Sequence, residues 1–168
     1  MNWFFLTVGY SGLFPKAPGT AGTIVSLPLG LIILSMFGPQ TLFLAALLAA
    51  VAGIKMIDHY ESKTHTHDDK RIVIDELAGM WIALSIAPAV IFDIQDLSAW
   101  DNGIALQIIM SFIFFRIYDI KKPSIIGRID RETKGGLGVM GDDVIAGFAA
   151  GITTALVWQI IVEALAFW

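Results

Sequence analysis

From Arg116 to Asp143 the chain reads RIYDIKKPSIIGRIDRETKGGLGVMGDD. The stretch holds five acids (Asp119, Asp130, Glu132, Asp142, Asp143) and six bases (Arg116, Lys121, Lys122, Arg128, Arg131, Lys134), with apolar runs on both sides. Carboxylates are hard oxygen ligands of the kind Mg²⁺ takes, while guanidinium, ammonium and the backbone N–H groups of a glycine-rich segment suit phosphate oxygens. Residue types and order together point to a divalent metal and a phosphate ester held side by side.

A second acidic pair, Asp75 and Glu76, lies in IVIDE, residues 72 to 76. Adjacent residues on a helix point about 100° apart, so one carboxylate can face a bundle interior and the other a loop. Capping of a helix dipole would account for one such pair. Asp142 and Asp143 repeat the pattern, and both pairs are expected at the N-termini of apolar helices. Ionised groups there are costly unless paired or metal-bound. Arg116 and Asp119 are one turn apart and share a helix face. Lys122, with Lys121, can bind phosphate or reach toward anionic headgroups. Asp130 is a candidate ligand beside Arg128 and Arg131, either of which could clamp phosphate; a solvated loop is the plainer reading. Thr20, in GTAGT (residues 19 to 23), could help cradle a phosphate at a helix start, although GK[ST] is missing. In HTHDDKR the residues His65, His67, Asp68 and Asp69 have the composition of metal ligands in a loop, and Asp68 is the candidate retained.

These groups must be carried by apolar elements. Residues 2 to 8 suit an interfacial anchor, and 9 to 23 read as a loop punctuated by proline and glycine. Apolar segments follow at 24 to 37 and 41 to 57, separated by Gly38-Pro39. Others run from 77 to 92, 104 to 118 and 144 to 168. The expected class is all-α: a polytopic helical membrane protein, one domain over 1 to 168, with four to five apolar helices. Charged residues are 15% of the chain, against about 25% in an ordinary soluble protein. If the segments alternate in direction, or the first two form a hairpin, every Lys and Arg falls on the side of the motifs or within a turn of it. The other side holds Asp93, Asp96, Asp101 and Glu163. That asymmetry puts the motif side in the cytoplasm. No cleaved signal peptide is read at the N-terminus. With no cysteine in the chain, a thiol nucleophile and thiolate zinc are excluded. A cation-translocating protein is the rival from another class, and it predicts acids deep within the apolar runs. The small residues of AGFAAGITTA (146 to 155) could pack helices within a protomer or in a homo-oligomer.

GLFPKAPGTAGT, IVIDELAGMW, FRIYDIKKPSIIGRIDR and GGLGVMGDDVIAGF, in this order, resemble the phosphatidylglycerophosphatase A family over Gly9 to about Gly151. The resemblance implies a small bacterial inner-membrane enzyme that uses Mg²⁺ to remove the terminal phosphate of phosphatidylglycerophosphate, giving phosphatidylglycerol. It also implies acidic site positions at Asp75, Glu76, Asp119, Asp130, Asp142 and Asp143, and basic ones at Arg116, Lys122 and Arg131. Thr20 belongs to its P-G-T loop. Phosphatidic acid or another lipid phosphate is the alternative substrate.

Overall fold

The computed structural model describes residues 3–67, 69–88, 90–98 and 102–166. Among these the regular elements are all helical: α1 (Trp3–Leu6), α2 (Pro18–Thr64), α3 (Ile74–Ile86), α4 (Ile104–Lys121), α5 (Ile125–Glu132) and α6 (Gly135–Ala166), with 3₁₀ turns at Ser11–Leu13 and Ile94–Ser98.

α2 is two helical arms joined at a kink, and it reverses at Gly38, whose φ of 84° and ψ of 172° are not helical. Only glycine adopts that conformation at low cost, and Pro39 follows it directly. The reversal is required by packing. Gly22 meets Val73, and Gly53 lies against Ile74. An unbroken helix would hold those two glycines roughly 45 Å apart at ~1.5 Å per residue. The two apolar segments read on either side of Gly38-Pro39 are therefore the two arms of α2, and the first arm starts at Pro18. That places GTAGT inside a helix, where a loop was expected.

The third apolar segment, 77 to 92, is expected to bend or end near Pro88, and it ends there. α3 stops at Ile86, two residues before Pro88, since a proline disfavours helical geometry in the residue before it. The largest departure is at α6. It begins at Gly135, so Asp142 and Asp143 lie two turns inside the helix and do not open it. Gly136 backs onto the Ile54 backbone, and its N–H donates to Asp58 Oδ1 at 2.7 Å. A side chain on α2 thus caps a helix start that is otherwise rich in poor helix formers.

Two apolar clusters hold the bundle. One joins α1, the second arm of α2, α3 and α6 through Leu6, Ile57, Leu77 and Met140. The other joins Leu34, Leu42, Met80, Leu84, Phe115 and Ala146. On α6, Ala146, Gly147, Ala150, Gly151 and Thr154 are buried within the protomer. The small-residue stripe is thereby used in packing the chain's own helices. Outside the clusters, large apolar side chains face outward, among them Leu44, Leu48, Ile109, Ile113, Leu156 and Ile160. Two helices, α2 and α6, are long and apolar enough to cross a membrane.

Candidate active site

α3 and α6 cross where neither carries a side chain. A Cβ on Gly79 would stand 2.6 Å from the Asp143 carbonyl oxygen, and one on Gly147 would run into the Gly79 backbone. Small residues at a crossing let two backbones approach closely. One turn before each glycine are Asp75 and Asp143, so the close crossing sets these carboxylates together. Single carboxylate oxygens of Asp75, Glu76 and Asp143 lie within 4.8 Å of one another. Asp143 is 3% exposed and Asp142 4%.

Arg116, on the last turns of α4, ion-pairs with Asp119. Its Nη1 also donates to Thr23 Oγ1 and its Nη2 to Thr20 Oγ1, each at 3.3 Å. Thr20 therefore enters the site as a support for Arg116, joined by Thr23, which the sequence reading missed. Lys122, just past α4, bridges two acids: it ion-pairs with Asp130 on α5 and donates to Asp142 Oδ2 at 2.6 Å. Gly19 completes one wall, because a Cβ there would collide with the Glu76 carboxylate.

Together these residues line a polar cavity of about 450 Å³. Asp75, Glu76, Arg116, Asp119, Lys122, Asp130, Asp142 and Asp143 all reach it, as do Pro18 and Gly19. Two residues without an assigned role, His67 and Lys70, also line it. Arg131 does not line this cavity. It borders a neighbouring pocket with His65 and Lys134. Once residues 125 to 132 are helical, the adjacent Asp130 and Arg131 point about 100° apart, so that Asp130 borders both cavities and Arg131 only the second. Asp68 lies outside the described residues. Asp69 is bound by Arg71 and Tyr60 and takes no part in the cavity.

Burial, followed by the charge of Glu76, pushes the Asp75 carboxyl well above the usual carboxylate range. Burial likewise raises Glu76 to about 8, with Asp143 and Asp119 adding to the effect and Asp75 and Arg116 opposing it. Lys122 behaves in the opposite way. Burial works against its ammonium, but the hydrogen bonds it donates to Asp130 and Asp142 outweigh that and hold its pKa above the ordinary value.

Among the described residues, four buried side-chain polar atoms find no hydrogen-bond partner: Asp75 Oδ1, Glu76 Oε2, Asp142 Oδ1 and Arg116 Nε. Buried polar groups are nearly always satisfied. Three orphaned carboxylate oxygens lining one cavity are a donor set that fits a hard divalent ion such as Mg²⁺. The orphaned guanidinium N–H fits an anion beside it.

The family model for phosphatidylglycerophosphatase A matches residues 4–158. Phosphatidylglycerophosphatase A of Escherichia coli (strain K12) is 35% identical over 153 residues, which is 89% of this chain and 80% of that protein. The protein of the same name from Haemophilus influenzae is 32% identical over 164 residues, 97% of this chain and 88% of the relative. A putative phosphatidylinositol-3-phosphatase of Bacteroides thetaiotaomicron is 37% identical over 150 residues, 87% of this chain and 86% of the relative. No solved structure matches.

Proposed function

The chain belongs to the phosphatidylglycerophosphatase A family, and on that footing we propose that it hydrolyses the terminal phosphate monoester of phosphatidylglycerophosphate with the help of Mg²⁺. The observation that carries this reading is the cluster of orphaned, buried carboxylate oxygens beside a cation-lined wall of the same cavity. Asp75, Glu76 and Asp143 would hold the metal, with Asp119 next to them. A divalent ion so held would neutralise phosphate charge and lower the pKa of a bound water.

The chain's own groups do the rest. Arg116, braced by Asp119, Thr20 and Thr23, presents its guanidinium to the phosphate oxygens. Lys122 supplies a second cation once a phosphate oxygen competes with Asp130, the more exposed of its two partners. Asp142 Oδ1, free of protein partners while Oδ2 holds Lys122, accepts a proton from the attacking water. The new P–O bond forms to that water, the bond to the glycerol oxygen breaks, and the proton is returned to the leaving alkoxide. Such positioning and charge neutralisation are the main demands of phosphoryl transfer.

The setting follows from the charge pattern. The reversal of α2 at Gly38 packs near Ile91, at the end away from the cavity. The acidic segment of Asp93 and Asp96 lies there too. Lys and Arg cluster at the cavity end, so that end faces the cytoplasm of a bacterial inner membrane, with the outward apolar side chains in lipid. Asp75 and Glu76, before the apolar part of α3, then sit at headgroup depth. No homo-oligomer is needed to complete the cavity. The buried acids of the cavity gather at one end of the bundle and do not form a path along it, which favours an enzyme over a cation carrier.

Phosphate release from phosphatidylglycerophosphate by detergent-purified protein tests the reading. Release is expected in Mg²⁺ and not in EDTA. Equal release in both would overturn the metal's part, and preferential turnover of phosphatidic acid or a phosphoinositide would reassign the substrate.

A further inference from the structure

Arg116 belongs to two cavities. Its guanidinium lines the polar one, and it also borders a trough of about 300 Å³ on the outward face of α4. The trough is lined by Phe112, Ile113, Arg116, Ile117, Ile120 and Lys121, which form two adjoining rows at helical spacing. Ile113 is 47% exposed, Ile117 46% and Ile120 64%. Four apolar side chains with Arg116 at mid-length and Lys121 at the cavity end match an anionic lipid, a chain along the isoleucines and a charged headgroup by Lys121. The buried Nε of Arg116 still lacks a partner. The larger apolar cavity between α1, α3 and the arms of α2 offers no such match. Its lining carries no charged side chain and shares no residue with the polar cavity.

Resting on the function proposed above, we propose that this face of α4 seats an acyl chain of the lipid substrate, with Lys121 meeting the headgroup's inner phosphodiester and Arg116 the path from trough to active site. Substrate would then enter sideways from the bilayer, past α4. Lys121, which has no role in the polar cavity, becomes a specificity-determining residue. Burying a chain against the isoleucines would contribute affinity that a short-chain substrate cannot draw on.

The test compares dioleoyl and dihexanoyl forms of the same phosphatidylglycerophosphate in detergent with Mg²⁺. The Ile113→Gln/Ile117→Gln double variant should raise KM for the dioleoyl form about tenfold and leave the dihexanoyl form unchanged, in line with the loss of a few buried methylenes. Lys121→Gln should raise KM for both forms with kcat held. Leu156→Gln/Ile160→Gln, on an exposed face of α6, should change neither. Equal losses with both chain lengths in the α4 double variant, or the same loss in the α6 control, would overturn the proposal. A second measurement needs no variant and no turnover: dioleoyl phosphatidic acid with a diazirine in its chain should label wild-type protein on α4. Labelling confined to other helices would overturn the trough. Wild-type protein inert toward both substrates would count against the enzyme reading alone, while the labelling would still decide the trough.

Discussion

Two acid clusters lie within a few residues of each other and could hardly differ more. In the first, Asp69 receives two hydrogen bonds from the Arg71 side chain, at 2.9 and 2.6 Å, and one from the Tyr60 hydroxyl at 2.6 Å. Arg71 also lies over the Trp3 ring, 5.1 Å from its centroid. Every partner is supplied by the chain, and Arg71 holds the Asp69 carboxyl well below the usual carboxylate range. In the second, Asp75, Glu76 and Asp143 crowd together, and Asp75 and Glu76 have orphaned oxygens and raised pKa values. A satisfied cluster is a structural clamp, here tying the N-terminus to the loop that leads into α3. An unsatisfied one is a site that awaits a ligand.

The largest effect should come from removing a charge in the second cluster. Asp143→Asn is expected to lower turnover by about a thousandfold or more, on the scale of losing a preorganised electrostatic group. Its melting temperature without metal should be no lower than wild type, because a like-charge contact is relieved; near-normal phosphate release would end the equivalence of orphaned acids and active site. Gly19→Ala comes next. It leaves every charge in place but drives a methyl group at the Glu76 carboxylate, and a displacement of about 1 Å can cost on the order of a hundredfold in rate. A Gly19→Ala enzyme with unchanged kcat would show that the position of Glu76 is not critical.

The two clusters should also differ in their response to pH. Glu76 is raised from 4.5 to about 8 in the folded protein. Its contribution to metal-free stability is fully present below pH 4.5 and is lost as pH rises toward about 8. Asp69 is depressed, so its contribution is present above the ordinary carboxylate range and is lost in acid. Melting temperatures in EDTA should therefore fall from pH 5 to 8 in wild type and fall less in Glu76→Gln. Over the same window the Mg²⁺ concentration for half-maximal activity should drop, since ligands must lose protons to bind. Identical profiles for the two proteins would refute the assignment. The smallest catalytic effect belongs to the clamp: Arg71→Ala should lower the melting temperature yet leave kcat of the folded enzyme unchanged. A large loss of kcat without loss of stability would move the clamp into the active site.

Much of the site was legible because charge is rare in this chain, and a charged residue between apolar runs stands out. Asp75, Glu76, Arg116, Asp119, Lys122, Asp130, Asp142 and Asp143 were all singled out from sequence, and the fold gathers all of them around one cavity. What could not be read depends on distant partners. Glycines at 135 to 141 look like loop, yet Asp58 and Ile54 of α2 convert them into the first turns of α6. Asp142 and Asp143 are thereby carried two turns into a helix. Arg131 looked equivalent to Lys122, and the direction it takes from α5 was hidden until that segment was known to be helical. His67 has the composition of a metal ligand but reads as a solvated loop residue, and Lys70 carries no local signal separating it from its neighbours. The crossing at Gly79 and Gly147 was hidden too, although each glycine lies one turn after a site acid.

Calorimetric titration of Mg²⁺ into wild-type and Asp143→Asn protein at pH 8, in the same detergent, tests the account most directly. The expected result is saturable binding to wild type with release of protons, and little or none to the variant. Equal binding to both, or none to a wild-type protein that still releases phosphate from its lipid substrate, would contradict the claim that the buried acids form the metal site.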